Sequence, residues 1–168
     1  RMLPDDPQVM YLLGTVNLSQ RRYAQASQQL EKAAARTGSP DMNRSLGFSL
    51  LGQGQTEQGL ASLEKAYAAN PADIRAGMAL ATLYIRLGKQ ENALKIADAM
   101  VKRDPANLTA LNFLGSLKGA SGDKAGARVA YAQVLAKDPA FAPSVLNLSR
   151  LDVSEKRFDD ARRRLDGL

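Results

Sequence analysis

Few side chains in this sequence could carry out chemistry. There is no histidine and no cysteine among its 168 residues, so the usual zinc ligands and the histidine-based catalytic dyads and triads are missing. Asp159 and Asp160 are adjacent, and adjacent residues on a helix point to different sides. The stretch GQGQTEQG at residues 52–59 lacks the third glycine of a dinucleotide-binding loop, because Glu57 stands there. We therefore predict no catalytic site, no metal and no cofactor.

The charged residues are numerous but mixed in sign. The formal net charge is +6, which by itself would allow an anionic partner such as nucleic acid. However, residues 150–166 contain six basic and five acidic residues, which is typical of solvated helix faces. We predict no nucleic-acid binding. Apolar residues make up 45% of the chain. No apolar run approaches the length of about 18 residues that a membrane helix needs, so we also predict no transmembrane span.

The elements that would position any binding residue follow from a repeat. A leucine followed by a small residue recurs about every 34 residues, a period typical of stacked helical repeats. A second small residue follows each pair at one fixed distance. The pairs are Leu13-Gly14, Leu46-Gly47, Leu80-Ala81, Leu114-Gly115 and Leu148-Ser149, and the second small residues are Ala26, Gly59, Ala93, Ala127 and Ala161. Small residues at fixed points allow two helix backbones to approach closely, with leucine filling the layer between them.

Helix breakers recur in the same register. Gly54, Gly88 and Gly122 each stand at the same distance after the small residue of their pairs, where a chain that reverses between two helices favours glycine. Proline also stands at one fixed distance after the small residue in three repeats, and ends the second helix. These prolines are Pro71, Pro105 and Pro139; Gly38 takes that place in the first repeat, and Pro4 fits the end of a preceding one.

The pattern predicts a stack of helical hairpins, because a hairpin of about 34 residues cannot bury its apolar face alone. We predict one all-α domain over residues 1–168, with repeats at 7–39, 40–73, 74–107, 108–141 and 142–168, the last one truncated. The first helices are predicted at 7–19, 40–52, 74–86, 108–120 and 142–154. The second helices are predicted at 22–37, 56–69, 90–103, 124–137 and 158–168.

This register resembles the tetratricopeptide repeat (TPR) family over nearly the whole chain. The resemblance implies a right-handed solenoid of antiparallel helix pairs that binds proteins and catalyses nothing. The family favours an aromatic residue four after the leucine. Only Tyr84 fits, whereas Asn17, Lys118 and Asp152 depart from the pattern.

A narrower resemblance is carried by the phrases NFLG, GDKAGA, DPAFAP and NLSRLD, in that order. They are similar to repeats of the bacterial TPR lipoproteins associated with PEP-CTERM/exosortase protein sorting. That resemblance implies an envelope protein linked to exopolysaccharide export, located in the periplasm or at the outer membrane. Without it, a cytoplasmic location stays open. The sequence begins and ends inside the pattern, so we interpret it as a fragment of a longer protein.

In the TPR family the first helices line a concave groove, which places the candidate binding residues. Arginine can bind carboxylates in a bidentate manner. Asp41 is the only acidic residue expected near the four arginines of this groove, which are Arg44, Arg75, Arg86 and Arg150. The resemblance therefore implies a protein or peptide segment with apolar anchors and acidic character. The predicted groove residues are Tyr11, Arg44, Phe48, Arg75, Met78, Thr82, Arg86, Asn112, Phe113, Ser116, Asn147 and Arg150.

Two alternatives stay open. Some of these side chains could pack against the next hairpin instead of a ligand, and the chain could serve as a structural spacer or self-assembly module. We expect uncapped apolar faces at the two ends to promote self-association, with Leu165 and Leu168 partly exposed.

Overall fold

The computed structural model describes residues 6–167, and within that range the chain forms ten α-helices and no strand. The first helices of the five hairpins are α1 (Pro7–Ser19), α3 (Pro40–Gly52), α5 (Ile74–Arg86), α7 (Leu108–Ala120) and α9 (Ala142–Ser154). The second helices are α2 (Tyr23–Thr37), α4 (Thr56–Ala69), α6 (Gln90–Arg103), α8 (Lys124–Lys137) and α10 (Phe158–Leu165). This confirms the predicted all-α class and the predicted series of about five helical hairpins.

The helix bounds follow the breakers and caps of the sequence. All five first helices begin and end at the predicted residues, whereas α2 begins one residue later than predicted and α10 ends at Leu165. Asp6 caps α1 by accepting a hydrogen bond from the Gln8 amide at 2.7 Å, and Asn107 caps α7 through the Ala110 amide at 2.9 Å. Each cap satisfies an amide that the helix itself leaves unpaired. Pro4 and Leu168 lie outside the described residues.

Glycine allows the two helices of a hairpin to approach closely at the predicted positions. A Cβ atom on Gly47 would lie 2.9 Å from Leu63 Cγ, and one on Gly59 would lie 2.7 Å from Leu51 Cγ. Each of these atoms would also lie 3.1 Å from the carbonyl oxygen of the other glycine. Helices α3 and α4 can therefore pack at this distance only because both positions lack a side chain.

Each turn inside a hairpin contains one residue in the left-handed backbone conformation. Gly54, Gly88 and Gly122 have φ values of 78°, 72° and 89°, as their spacing predicts. At the equivalent places in the first and last repeats, Arg21 has φ 58° and Lys156 has φ 60°. A side chain in this region costs about 1–2 kcal/mol, so two of the five turns are strained.

The chain divides into two compact units, which we name the N-terminal unit (through Leu83) and the C-terminal unit (from Tyr84). In the N-terminal unit, α2 packs on α1 and α3, and α3 packs on α4; the buried residues include Met10, Leu30 and Met42. In the C-terminal unit the helices α6 to α10 pack consecutively, around residues such as Tyr131 and Leu148. No helix among residues 6–167 has the length and apolar character needed to cross a bilayer.

Candidate functional site

The predicted groove residues of the N-terminal unit differ in how open they are. Tyr11 and Met78 are half-buried, and Thr82 is exposed. Phe48 is 40% exposed, which is high for a phenylalanine. The Arg75 side chain is 76% exposed, and its Nε lies 3.4 Å from Asp73 Oδ1.

Arg44 is held by two carboxylates of its own chain. Its side chain is only 11% exposed; it pairs with Asp41 at 2.6 Å and also with Asp73. The expectation that Asp41 is the only nearby acid is therefore wrong, because the turn before α5 brings Asp73 onto the same guanidinium. Burial alone would raise the pKa of the Asp73 carboxyl. The Arg44 charge and the Arg75 amide and guanidinium outweigh burial and hold that pKa below its ordinary value.

Three predicted groove residues of the C-terminal unit form one hydrogen-bonded network. Asn112 Oδ1 accepts from Asn147 Nδ2 at 3.1 Å and from Ser144 Oγ at 3.0 Å. Ser116 Oγ accepts from Tyr131 at 3.3 Å and from Asn147 Nδ2 at 3.4 Å. Burial raises the pKa of the Tyr131 hydroxyl, and its bond to Ser116 partly offsets that rise. The structure thus joins Asn112, Ser116 and Asn147 across the neighbouring first helices α7 and α9.

This network leaves two groups open. Asn112 enters the network through Oδ1 and Asn147 through Nδ2, so among the described residues Asn112 Nδ2 and Asn147 Oδ1 remain without a partner. Neither group is among the buried polar atoms that lack a partner, so both are open to solvent. Arg86 and Arg150 are exposed, and Phe113 is half-buried.

Asp152 corrects the interpretation of the C-terminal charges as solvated. This side chain is 1% exposed and lies 2.8 Å from Arg128, 3.1 Å from Arg164 and 3.4 Å from Arg157. It occupies the position where the TPR pattern favours an aromatic residue. An ionic cluster therefore fills the layer between α8, α9 and α10, and the sequence signal for it was the unexplained aspartate itself.

Two cavities lie between second helices of neighbouring hairpins. In the N-terminal unit, a cavity of about 790 Å³ runs between the second helices α2 and α4, with α3 as its floor. In the C-terminal unit, a cavity of about 420 Å³ lies between α6 and α8 over Leu111. The sequence analysis did not predict either cavity. Within residues 6–167, no three acidic side chains gather in a way that could hold a metal ion.

Known structures resemble the chain in fold. A tetratricopeptide repeat protein from Parabacteroides merdae matches 95% of the chain at 18% identity with a TM-score of 0.79, and the chain spans 64% of that structure's length. MamA (residues 41 to the end) from Desulfovibrio magneticus matches 99% of the chain and 94% of its own length, at 16% identity and a TM-score of 0.77. Another MamA structure covers 98% of the chain and 90% of its own length, at 14% identity and a TM-score of 0.75. No curated protein sequence matches the chain.

The sequence itself matches a family model. The model described as "Tetratricopeptide repeat" matches residues 50–116 and 120–168, which is more than half of the chain. Together with the five hairpins and their glycine-mediated packing, this match shows that the chain belongs to the tetratricopeptide repeat family.

Proposed function

We propose that this chain is a non-catalytic protein-interaction scaffold. In this proposal an extended partner segment binds the surface of the C-terminal unit that carries Asn112, Ser116 and Asn147 on α7 and α9, which we name the first-helix face. The observation that carries this proposal is the Asn112–Asn147 pair. One internal network fixes both amides and leaves one donor and one acceptor open. An extended peptide presents a backbone C=O and an N–H that could pair with them. Because the amides are already ordered, little side-chain entropy is lost on binding.

The surrounding side chains favour a segment with acidic and apolar residues. Arg150 lies three residues after Asn147 on α9 and is exposed, so its guanidinium is available to a carboxylate. Phe113 is half-buried next to Asn112 in the chain and offers an apolar contact. In the N-terminal unit, the exposed Phe48 likewise offers an apolar contact, and the exposed Arg75 guanidinium is available to a carboxylate. Arg44 has a smaller role, because Asp41 and Asp73 already bind it.

The test uses peptides selected from a random phage-displayed library on the full chain. Asn112→Asp is the informative variant, because it keeps an oxygen for Ser144 and Asn147 and replaces only the open Nδ2 donor. Loss of one hydrogen-bond donor and addition of a negative charge should weaken binding of the selected peptides about tenfold or more. Arg150→Ala should weaken acidic peptides by a smaller factor, and more at low salt than at high salt.

Lys95→Ala is the matched control, because Lys95 is exposed on the second helix α6. It should leave peptide affinity unchanged. If Asn112→Asp binds every selected peptide as the wild type does while its helicity is intact, the C-terminal first-helix face is not the binding surface.

A second candidate function, self-assembly, is favoured by an apolar face on α1. Leu12, Leu13 and Val16 are 57%, 49% and 52% exposed, and apolar patches of this kind commonly mark contact surfaces. Leu165 is 44% exposed, as expected, whereas Leu168 lies outside the described residues. Sedimentation should show association that increases with concentration and that Leu13→Lys with Val16→Lys reduces. A single monomeric species at all concentrations would exclude this function.

The envelope assignment is a further proposal that rests on the NFLG, GDKAGA, DPAFAP and NLSRLD phrases alone. It places the protein in the periplasm or at the outer membrane, in an assembly linked to protein sorting or exopolysaccharide export. Cell fractionation of the source organism tests it directly. Recovery in the cytoplasmic fraction would contradict it.

A further inference from the structure

The large cavity of the N-terminal unit is built from one regular face of each of three helices. Helix α2 contributes Ser27, Glu31, Ala34 and Ala35, helix α4 contributes Gln58, Ala61, Ser62 and Lys65, and helix α3 forms the floor with Asn43, Leu46, Leu50 and Gln53. These spacings of three and four residues are those of one helix face. Several wall residues are small, so space above the floor is left unfilled between the two second helices. We name this cavity the second-helix groove.

Four polar side chains of this groove have no partner in the part of the chain that the structure describes. Glu31 on one wall, Lys65 on the other, and Gln55 and Gln58 at one end make no side-chain hydrogen bond or ion pair with another residue in the range 6–167. Gln53 differs, because its Nε2 donates to Ser27 Oγ at 2.8 Å and so joins the floor to one wall. The groove therefore presents opposite charges and two open carboxamides above a floor that includes the apolar Leu46 and Leu50.

The two charges lie at nearly the same height in the groove. Two distances along the chain can be compared, the one from Leu13 to Glu31 and the one from Leu46 to Lys65. They differ by a single residue. Because both leucines hold the same place in their hairpins, this spacing places Glu31 and Lys65 at similar heights on the two walls. Among the described residues they form no ion pair, so both charges are available to a bound segment.

The corresponding cavity in the C-terminal unit lacks these features. Leu111 takes the place of Asn43 in its floor, and Gln133 takes the place of Lys65 in its wall. Its one charged lining residue, Lys137, donates to the Pro105 carbonyl at 2.7 Å. Within the part of the chain that the structure describes, the open pair of charges is thus specific to the N-terminal groove and does not follow from the repeat itself.

We propose that the second-helix groove binds an extended peptide segment of four or five residues, with a basic and an acidic residue at successive positions. The floor from Asn43 to Gln53 spans about 15 Å of helix α3 at 1.5 Å per residue. An extended chain covers that length with four to five residues at about 3.3 Å each. A volume of about 790 Å³ lies in the range of ligand-binding pockets.

The order of charges follows from strand geometry. Successive side chains of an extended peptide point in opposite directions, so neighbouring basic and acidic residues would face Glu31 and Lys65 at the same height. Gln55 and Gln58 can each donate to a backbone carbonyl and accept from a backbone amide. Apolar residues on either side of the charged pair would lie over Leu46 and Leu50. This site is independent of the first-helix face proposed above.

The experiment titrates three capped peptides, Ac-Leu-Lys-Asp-Leu-NH2, Ac-Leu-Lys-Lys-Leu-NH2 and Ac-Leu-Asp-Asp-Leu-NH2, into the ¹⁵N-labelled full chain. Asn112→Asp serves as the background, so that binding at the first-helix face is weakened in all three proteins. The three proteins are this background alone, with Glu31→Lys, and with Lys65→Glu. Both added changes are at exposed positions, and circular dichroism verifies that the helices are intact.

Each protein should prefer a different peptide. The background should bind the Lys-Asp peptide about three- to tenfold more tightly than the other two, because each like-charged peptide loses one attractive contact and gains a repulsive one. Glu31→Lys should prefer the Asp-Asp peptide, and Lys65→Glu should prefer the Lys-Lys peptide. The backbone amides of Gln55 and Gln58 should shift in every productive titration.

Three results would overturn the proposal. No shift of the groove amides at millimolar peptide would show that the groove binds no such segment. An unchanged peptide preference in both charge variants would show that Glu31 and Lys65 do not select the ligand. Groove amides that shift with protein concentration in the absence of peptide would identify a second copy of the chain as the occupant. None of these results would affect the first-helix proposal, which Asn112→Asp tests separately.

Discussion

The two compact units contain the same kind of hairpin but leave their unpaired polar groups on different sides. In the N-terminal unit, Arg44 on the first-helix side is bound by Asp41 and Asp73. On the second-helix side, Glu31 and Lys65 are unpaired within residues 6–167. In the C-terminal unit the arrangement is reversed. The Asn112–Asn147 pair leaves open groups on the first-helix side, and Lys137 on the second-helix side is bound to Pro105.

This difference shows that repeat register alone does not decide where a repeat protein binds. Register places a residue on one face of a helix. The contacts that the residue makes within its own chain then decide whether it is available to a partner. A candidate binding residue should therefore be judged by its unpaired donors and acceptors as well as by its position in the repeat.

The interiors of the hairpins differ in the same way. In the hairpin α3–α4, Leu63 fills the layer against Gly47 and is fully buried. In the hairpin α9–α10, the buried Asp152 takes the place that Leu50 holds in α3, where Leu50 packs against the apolar core. Asp152 pairs there with Arg164 and Arg157, and with Arg128 from α8. The same backbone spacing thus accepts an apolar layer in one unit and an ionic layer in the other.

The largest expected effect is on that ionic layer. Asp152→Ala leaves three arginines next to an empty buried site and should lower the free energy of unfolding by about 3–5 kcal/mol. Leu63→Ala in the apolar layer should cost about 2–5 kcal/mol by creating a cavity. Urea denaturation of both variants measures the two costs. If Asp152→Ala has the same midpoint of urea denaturation as the wild type, the ionic cluster does not hold α10 in place.

A smaller effect is expected from the carboxylate that binds Arg44. Asp73→Asn should cost about 1–3 kcal/mol at neutral pH, because a partly buried guanidinium loses one of its partners. The pKa of Asp73 is lowered from an ordinary value of 3.8. Its stabilising contribution is therefore complete above that value and is lost as the pH falls through the folded-state pKa.

The stability of the wild type should accordingly decrease below about pH 4, and Asp73→Asn should show a weaker decrease over the same range. Thermal melts at a series of pH values measure both curves. If the melting temperatures of the two proteins decrease equally at acidic pH, Asp73 does not contribute to the pH dependence.

The smallest effect concerns the strained turns, one in each unit. Arg21→Gly and Lys156→Gly should each raise the free energy of unfolding by about 1 kcal/mol, because glycine relieves the left-handed strain. Gln20→Gly is the control for the first turn, since Gln20 has a φ of −85° and gains nothing from glycine. If Gln20→Gly stabilises as much as Arg21→Gly does, strain at φ 58° is not the cause.

The sequence was sufficient to predict the helices, because their ends depend on local signals. Glycine at the turn, proline after the second helix and paired small residues recur at fixed distances. Contacts between the small residues, such as those of Gly47 and Gly59, follow from the same spacing. The strained turns were the exception, because Arg21 and Lys156 carry none of the glycine signal that marks the other three.

The sequence was not sufficient to predict which polar groups are free. Arg44 and Asp73 are 29 residues apart, and Asn112 and Asn147 are 35 apart, so these pairs form only once hairpins stack. The second-helix groove depends on wall residues that carry no repeat signal. Lys65, which the repeat register places on the second helix α4, lines a cavity of about 790 Å³ that the register does not predict.

The most direct test of the contrast between the two units is a calorimetric titration of two peptides into two variants. One peptide is selected from a library on the Glu31→Lys chain, and the other is Ac-Leu-Lys-Asp-Leu-NH2. We predict that Asn112→Asp weakens only the library peptide about tenfold, and that Glu31→Lys weakens only the Lys-Asp peptide about three- to tenfold. If either variant weakens both peptides equally, the two units do not bind through separate faces and the contrast is wrong.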